Sequence, residues 1–420
     1  MGNVDESVPD SLRYPGFRWL LSAELVSRLG DTLHEVALIW LVLEATGDPL
    51  LVSVTVVAST VPKAAASLPA GLVVDRVNRK YVMMASSLLR GVIVLAIPLF
   101  ARGSLLVPVV VTVAAVTGAL EAFVYPARQS LVPELVEDRH LDSANGLVEV
   151  VNTFSKAAYA VSGAVVAVFG AYGAFYLDAA SFLLAAGALI GVPTAACVPP
   201  DENEAGATGR WASMREGIDL VRTSPVLPSV VFVWVLLGVA MGPLGVVLPA
   251  LTDGQFRDGS LAFGVLYGGI YTGIGVGGVL MSRFGEVAQR NRSTLVAGGV
   301  AATGGLLLLT AAVSRVGGGL LAMAIPFALA GVSTVAVWVS LRTITQRTVP
   351  DEALGRVTSI VSAVGTASLP VSVALAGVAL RVVSPRTFLA VEGVLLVASS
   401  VPLLSRLPTA VATAAGTDAD

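Results

Sequence analysis

Charge is scarce in this sequence. Asp, Glu, Lys and Arg make up 13% of the 420 residues, about half of the roughly 25% carried by soluble domains. Apolar residues make up 55%, and mean hydropathy is +0.82. So few charges cannot give a chain of this size a polar skin, which excludes a water-soluble globule and points to an integral membrane protein. The single cysteine, Cys197, excludes an internal disulfide framework and a cysteine-only zinc site. Lysine is as sparse: Lys63, Lys80 and Lys156 all lie outside a Gly-Lys-Ser/Thr context, so a phosphate loop of that type is absent. The net charge of −3 offers no basic surface, and nucleic acid is not an expected partner.

What is present is long apolar runs. A bilayer core of about 30 Å takes roughly 20 helical residues per crossing. On that measure the sequence predicts twelve spans. Six occupy 17–44, 51–73, 81–101, 105–127, 147–169 and 172–193. The other six occupy 227–251, 261–283, 294–314, 319–342, 357–381 and 386–408. The expected architecture is all-α: an N-terminal six-helix bundle (1–193), a polar cytoplasmic linker (194–226) carrying Asp201-Glu202-Asn203-Glu204, and a C-terminal six-helix bundle (227–420). Residues 1–16 are polar and acidic, unlike the basic start of a signal peptide. With both termini cytoplasmic, seventeen Lys and Arg residues fall on inner segments and five on outer ones. That bias predicts a multi-pass protein of the cell membrane in this orientation.

The halves echo each other. Gln129-Ser130-Leu131-Val132-Pro133 follows span 4 and Gln346-Arg347-Thr348-Val349-Pro350 follows span 10, while Gly71 to Arg76 ends span 2 and Gly278 to Arg283 ends span 8. Repeated six-helix halves about a central loop suit alternating access. Gly71-Leu72-Val73-Val74-Asp75-Arg76-Val77-Asn78-Arg79-Lys80 resembles the loop 2–3 signature of the major facilitator superfamily. Leu29-Gly30-Asp31, Tyr125-Pro126-Ala127 and Gln346 to Asp351 running into Gly355-Arg356-Val357 resemble its twelve-helix drug:proton antiporter branch, which includes macrolide and enterobactin exporters. The sequence departs from that pattern at Asn78, which replaces the signature's second glycine and is compatible with a left-handed turn. Other departures are Ser87 in place of an acid, the reduced Ala160-Val161-Ser162-Gly163 element, and Glu121 in span 4 where other antiporter branches have arginine.

The signature loop is expected to act as a cytoplasmic gate through Gly71, Asp75, Arg76 and Arg79. Asp75 ends span 2 where it is expected to face the positive N-terminal end of span 11 near Val357. Arg76, Arg79 and Lys80 have Glu134 and Glu137 as candidate partners, or serve only to set topology.

Span 1 carries Glu24, Arg28, Asp31 and Glu35, which at about 100° per residue share one stripe about 60° wide. Lys63, Arg90, Glu121, Lys156 and Asp178 are further mid-membrane charges, whereas the second half has Glu392 as its clear exception. Each unpaired charge at mid-bilayer costs about 2.5–3.5 kcal/mol, so these groups are expected to face the bundle interior and to pair. The candidate pairs are Asp31 or Glu35 with Lys63, Arg28 with Glu24, and Arg90 or Lys156 with Glu121. Asp31 with Lys63 is the first candidate for a proton-coupling switch; a fixed ion pair between spans 1 and 2 is the alternative. The second half offers an apolar substrate wall of Trp234, Tyr267, Tyr271 and Trp338, with Phe263 and Phe327, unless these aromatics merely pack or face lipid. Gly264, Gly268, Gly269, Gly273 and Gly277 in span 8 give spacings for close helix approach.

Enzyme motifs are absent. His34-Glu35 opens a zinc-protease-like pattern that Leu38 breaks, and no Gly-x-Ser-x-Gly element occurs. The expectation is a monomeric, proton-coupled exporter of a small hydrophobic or amphipathic compound, without metal or cofactor, whose partners are its substrate, protons and lipid. A siderophore-type metabolite exporter or a lipid flippase fits the same resemblance. A non-transporting membrane scaffold fits less well, because it has no need of costly buried charges.

Overall fold

The computed structural model describes residues 9–194, 207–289 and 292–416, and all regular structure among them is helical. The chain divides into two compact units, Met1–Asp201 with Phe256–Gly264, and Glu202–Gln255 with Val265–Asp420.

The first unit begins with α1 (Pro15–Thr46), α2 (Pro49–Arg76), α3 (Arg79–Val94) and α4 (Ala96–Phe100). It continues through α5 (Leu106–Glu121), α6 (Val124–Leu135), α7 (Leu141–Ala157) and α8 (Tyr159–Ile190). Pro15 and Pro49 stand in the first turns of α1 and α2, where the missing N–H costs nothing, and the Asp48 carboxylate caps α2 by accepting from Leu50 N at 3.0 Å. Gly47 closes α1 at φ 62°, a conformation that favours glycine. Gly170, at φ 72° and ψ 166°, splits α8 into two runs near the expected boundary between spans 5 and 6. Near the end of this unit's helices, Phe17, Leu20, Val74, Leu131 and Leu189 form a buried core.

The second unit contains α9 (Ala207–Thr223), α10 (Leu227–Met241), α11 (Leu244–Thr252), α12 (Gly259–Gln289), α13 (Arg292–Arg315), α14 (Leu320–Thr348), α15 (Asp351–Ala379) and α16 (Pro385–Gly416), the first residues of α12 grouping with the first unit. Helix α9 lies within the expected 194–226 connection. Gly217 lies directly against Ile360 of α15, and Glu216 pairs with Arg356 at 3.2 Å, so that stretch gains tertiary support for helix. The acidic Asp201–Glu204 run and Cys197 lie outside the described residues.

Ten segments among the described residues are long and apolar enough to cross a membrane. Two expected spans are not among them. Span 1 lies within α1, which is 32 residues long but interrupted by its charges. Span 5 is divided between α7 and the first run of α8. Spans 4 and 7 are each broken, at Ala122–Phe123 and at Gly242–Pro243.

Candidate functional site

In the first unit, three close helix contacts place the charged side chains. Gly30 of α1 lies against Ser181 of α8, so near that a Cβ on Gly30 would stand 1.9 Å from Ser181 Oγ. One turn along each helix from this contact, His34 Nδ1 and Asp178 Oδ2 share a hydrogen bond of 2.6 Å. Gly91 of α3 approaches the Ala179 carbonyl oxygen, where a Cβ would stand at 3.3 Å. That contact brings Arg90 to α1, where it pairs with Asp31, and sets its guanidinium 4.1 Å from the centre of the Phe182 ring. Gly118 of α5 touches the Ser59 carbonyl oxygen of α2, a Cβ there standing at 2.2 Å. One turn on, Lys63 Nζ donates to Glu121 Oε1 at 2.6 Å.

The stripe on α1 is therefore three carboxylate acceptors and one donor, Arg28, read by different helices. Glu24, 3% exposed, accepts from Arg28 Nε at 2.6 Å and from Arg128 of α6. Arg28 also donates to Asn152 Oδ1 of α7 at 3.2 Å. Glu35 Oε2 accepts a hydrogen bond from the Tyr159 hydroxyl. Asp178 is fully buried, and its Oδ1, like His34 Nε2, has no hydrogen-bond partner among the described residues. Lys156 lies in the last turn of α7.

Two expected pairings are corrected. Asp31 pairs with Arg90 rather than with Lys63, because the stripe turns toward the α3 and α8 side of α1. Glu121 pairs with Lys63 rather than with Arg90 or Lys156, because α2 and α5 touch at Ser59 and Gly118. The Arg28–Glu24 pair forms as expected. Three partners are not evident from the sequence: Arg128, one of the seventeen inner-segment cations; Tyr159; and His34 as the partner of Asp178. The one local signal for Arg128 was its place beside the Tyr125-Pro126-Ala127 element, within α6.

At the loop after α2, Asp75 and Arg76 are exposed, while Arg79 opens α3 and pairs with Glu134. A Cβ on Gly71 would meet open space. Asn78 has φ −57°, outside the left-handed region. Its side chain instead caps α3, accepting from Lys80 N at 3.1 Å, a task glycine has no side chain to perform. Lys80 Nζ donates to the carbonyl oxygens of Ile190 (3.0 Å) and Val192 (2.6 Å), so its charge sits where the C-terminal end of α8 is negative.

In the second unit, the Trp234 and Trp338 rings stack, with centroids 6.3 Å apart and planes 9° from parallel. Tyr267 and Tyr271 meet edge to face at 5.5 Å. All four are half-buried, whereas Phe327, and Phe263 among the α12 residues that group with the first unit, are completely buried, which makes the two phenylalanines packing residues rather than a wall. Trp338 Nε1 is buried without a hydrogen-bond partner among the described residues. Nor is any group of three His, Cys, Asp or Glu side chains among them placed to hold a metal ion.

Residues 20–372 match the Major Facilitator Superfamily. The chain belongs to that superfamily. Among this major facilitator's relatives, the multidrug efflux pump Tap of Mycolicibacterium fortuitum is 31% identical over 221 residues, covering 51% of this chain and 54% of Tap. Macrolide efflux protein A of Streptococcus pyogenes is 24% identical over 377 residues, covering 86% and 88%. The chain spans about half the length of Tap and, at 50%, of the MFS-type transporter YfiS of Bacillus subtilis. Among solved structures, an inward-facing bacterial homologue of the iron transporter ferroportin superposes with a TM-score of 0.69 at 16% identity, covering 95% of this chain and 99% of that one. A POT family transporter in complex with 5-aminolevulinic acid gives 0.70 at 12% identity, covering 94% and 97%. At these identities the likeness concerns the fold alone.

Proposed function

We propose that this major facilitator exports a small hydrophobic or amphipathic compound by alternating access, driven by proton antiport. The observation that carries the proposal is the pairing of Asp31 with Arg90 inside the N-terminal unit. Breaking one buried ion pair is costly because the remaining charge has no water to replace its partner. A helix movement that parts the two groups therefore favours proton binding at Asp31, and their reunion favours its release. Proton binding and helix movement become one event, which is what coupling requires. Glu35, held by Tyr159, and Glu121, held by Lys63, lie along the same charged interior and complete the route in this scheme, with Arg28 and Lys156 as flanking cations.

The stacked Trp234 and Trp338, with Tyr267 and Tyr271, form the apolar wall of the proposal, a surface suited to flat aromatic cations. The efflux direction is supported by the names of the relatives, Tap and macrolide efflux protein A. We further propose twelve crossings, with α1 and the α7–α8 junction supplying the two beyond the ten apolar segments. The two bundles are assigned to residues 1–193 and 227–420, joined by 194–226. In this assignment the carrier is a monomer in the cell membrane with both termini cytoplasmic, and Gly71, Asp75, Arg76 and Arg79 belong to its cytoplasmic gate.

The test is accumulation of ethidium by energised inside-out vesicles. Wild type is expected to accumulate the dye in proportion to the proton gradient, and Asp31→Asn to lose coupled accumulation while retaining expression and dye binding. Normal gradient-driven accumulation by Asp31→Asn would remove Asp31 from the coupling site.

A further inference from the structure

Glu392, in the third turn of α16, belongs to none of the groups described so far. It is 6% exposed, and neither Oε1 nor Oε2 has a hydrogen-bond partner among the described residues. Its neighbours on the buried face of α16 are Leu389 and Leu396. Gly393 and Gly304 bring α16 and α13 into backbone contact beside it: a Cβ on either glycine would stand 2.6–2.7 Å from the other's carbonyl oxygen.

Among the described residues no cation serves this carboxyl group. Helix α16 packs on α13, α11 and α10. Helices α10 and α11 contain no titratable residue, and α13 contains none between Arg292 and Arg315 at its two ends. Asp253, just beyond α11, is exposed. Arg386, earlier on α16 itself, donates to Ser314 Oγ at 3.0 Å and Gln255 Oε1 at 3.4 Å. Arg406 follows fourteen residues later, about 21 Å along the helix at 1.5 Å per residue. The nearby hydroxyls of α13 are committed as well, Thr303 donating to the Gly299 carbonyl and Thr310 to that of Leu306. A carboxylate buried without a cation or a donor is far less stable than the neutral acid, and an ionisable residue kept in a membrane interior where leucine would pack marks a functional position.

We propose that Glu392 is a second proton-binding site of the transport cycle, in the C-terminal unit and separate from the α1 cluster. In the packing seen here its O–H bond is intact. When α16 and α13 part enough to admit water, that bond breaks, the proton passes to water, and the carboxylate takes a proton back before the helices close. At this contact Leu396 of α16 lies over Gly304 and Leu308 of α13 over Gly393, so these two side chains slide off the glycines when the helices part. This inference rests on the proton-coupled reading above and adds to it a second carrier of the proton.

Two measurements on the full-length chain test it. Infrared spectra of the purified protein at neutral pH are expected to show a protonated-carboxyl band that Glu392→Gln removes and Asp31→Asn retains. In proteoliposomes, Glu392→Gln is expected to move one proton fewer per ethidium than wild type. Glu392→Met serves the same comparison if the glutamine variant is poorly folded. An infrared band unaltered by the substitution overturns the proposal, since Glu392 is then ionised. So does a lost band with an unchanged proton count, since the acid is then a static part of the packing. Wild-type protein that moves ethidium without protons instead overturns the coupling reading itself, and the exchange step with it; wild type alone reveals that failure.

Discussion

Both units of this carrier bring helices together at glycines, and the N-terminal unit adds buried, paired charges between them. The N-terminal unit places Glu24, Arg28, Asp31, Glu35, Arg90, Arg128 and Asp178 among its helices, and every one of them meets a polar partner. The C-terminal unit brings backbones together at glycines: Gly273 on the Ala328 carbonyl, Gly331 on that of Ile270, Gly304 on that of Gly393. Ion pairs are directional and respond to protons; glycine contacts are neither. Under the proposed proton coupling the paired charges fall chiefly in one unit, and the isolated acid of the other, Glu392, is the exception that needs a reason.

The strongest way to break the comparison is to remove a buried partner. Arg90→Leu would leave Asp31 without its cation and also forfeit the stacking on Phe182. Losing one partner of a buried pair costs about 3–5 kcal/mol. Thermal unfolding in detergent is therefore expected to show a large loss for Arg90→Leu, much of it recovered in Arg90→Leu/Asp31→Asn, where no charge is stranded. A single substitution that unfolds no earlier than the double one would show that the pair contributes little, and the contrast between the units would collapse.

The counterpart in the C-terminal unit carries a smaller effect. A Cβ on Gly273 would stand 1.9 Å from the Ala328 carbonyl oxygen, and backbone cannot rotate aside as a side chain can. Gly273→Ala must push α12 and α14 apart, an overpacking that costs about 1–3 kcal/mol. Gly269, one turn earlier on α12, provides the control: a Cβ there would meet the Ala324 carbonyl at 3.6 Å, an ordinary contact. Gly269→Ala is expected to change unfolding by less than about 1 kcal/mol, and in the stabilising direction where the unfolded chain loses freedom. Equal effects at the two positions would mean that the close approach is not what holds these helices.

The helical architecture and the charged stripe were legible in the sequence because both rest on local signals, hydropathy over some twenty residues and a period of 3.6. The pairing across helices was not. Whether Asp31 meets Lys63 or Arg90 depends on which helix lies beside α1, and contacts such as Gly30 with Ser181 and Gly91 with Ala179 decide that between positions far apart in the chain. Arg128 was assigned to topology for the same reason: nothing adjacent in sequence announces Glu24, 104 residues away. At Asn78 a left-handed turn was compatible with the residue, but the side chain gains more by capping α3.

The smallest expected effect on stability separates the exposed charges of the N-terminal unit from its buried ones. Asp75 is exposed near the C-terminal end of α2, where a negative charge opposes the helix dipole. Such an end effect amounts to about 0.3–1 kcal/mol, so Asp75→Asn should unfold no earlier than wild type. If Asp75 were merely a surface residue, nothing else should change. If it helps to hold the cytoplasmic gate closed, Asp75→Asn should shift the conformational population and speed labelling of a cysteine placed at Gly71, where a side chain meets open space, in a Cys197→Ser background. Faster labelling at unchanged stability assigns the charge to the gate, because a structural role would move both together. Unchanged labelling removes Asp75 from the gate and confines the functional charges of this unit to its interior.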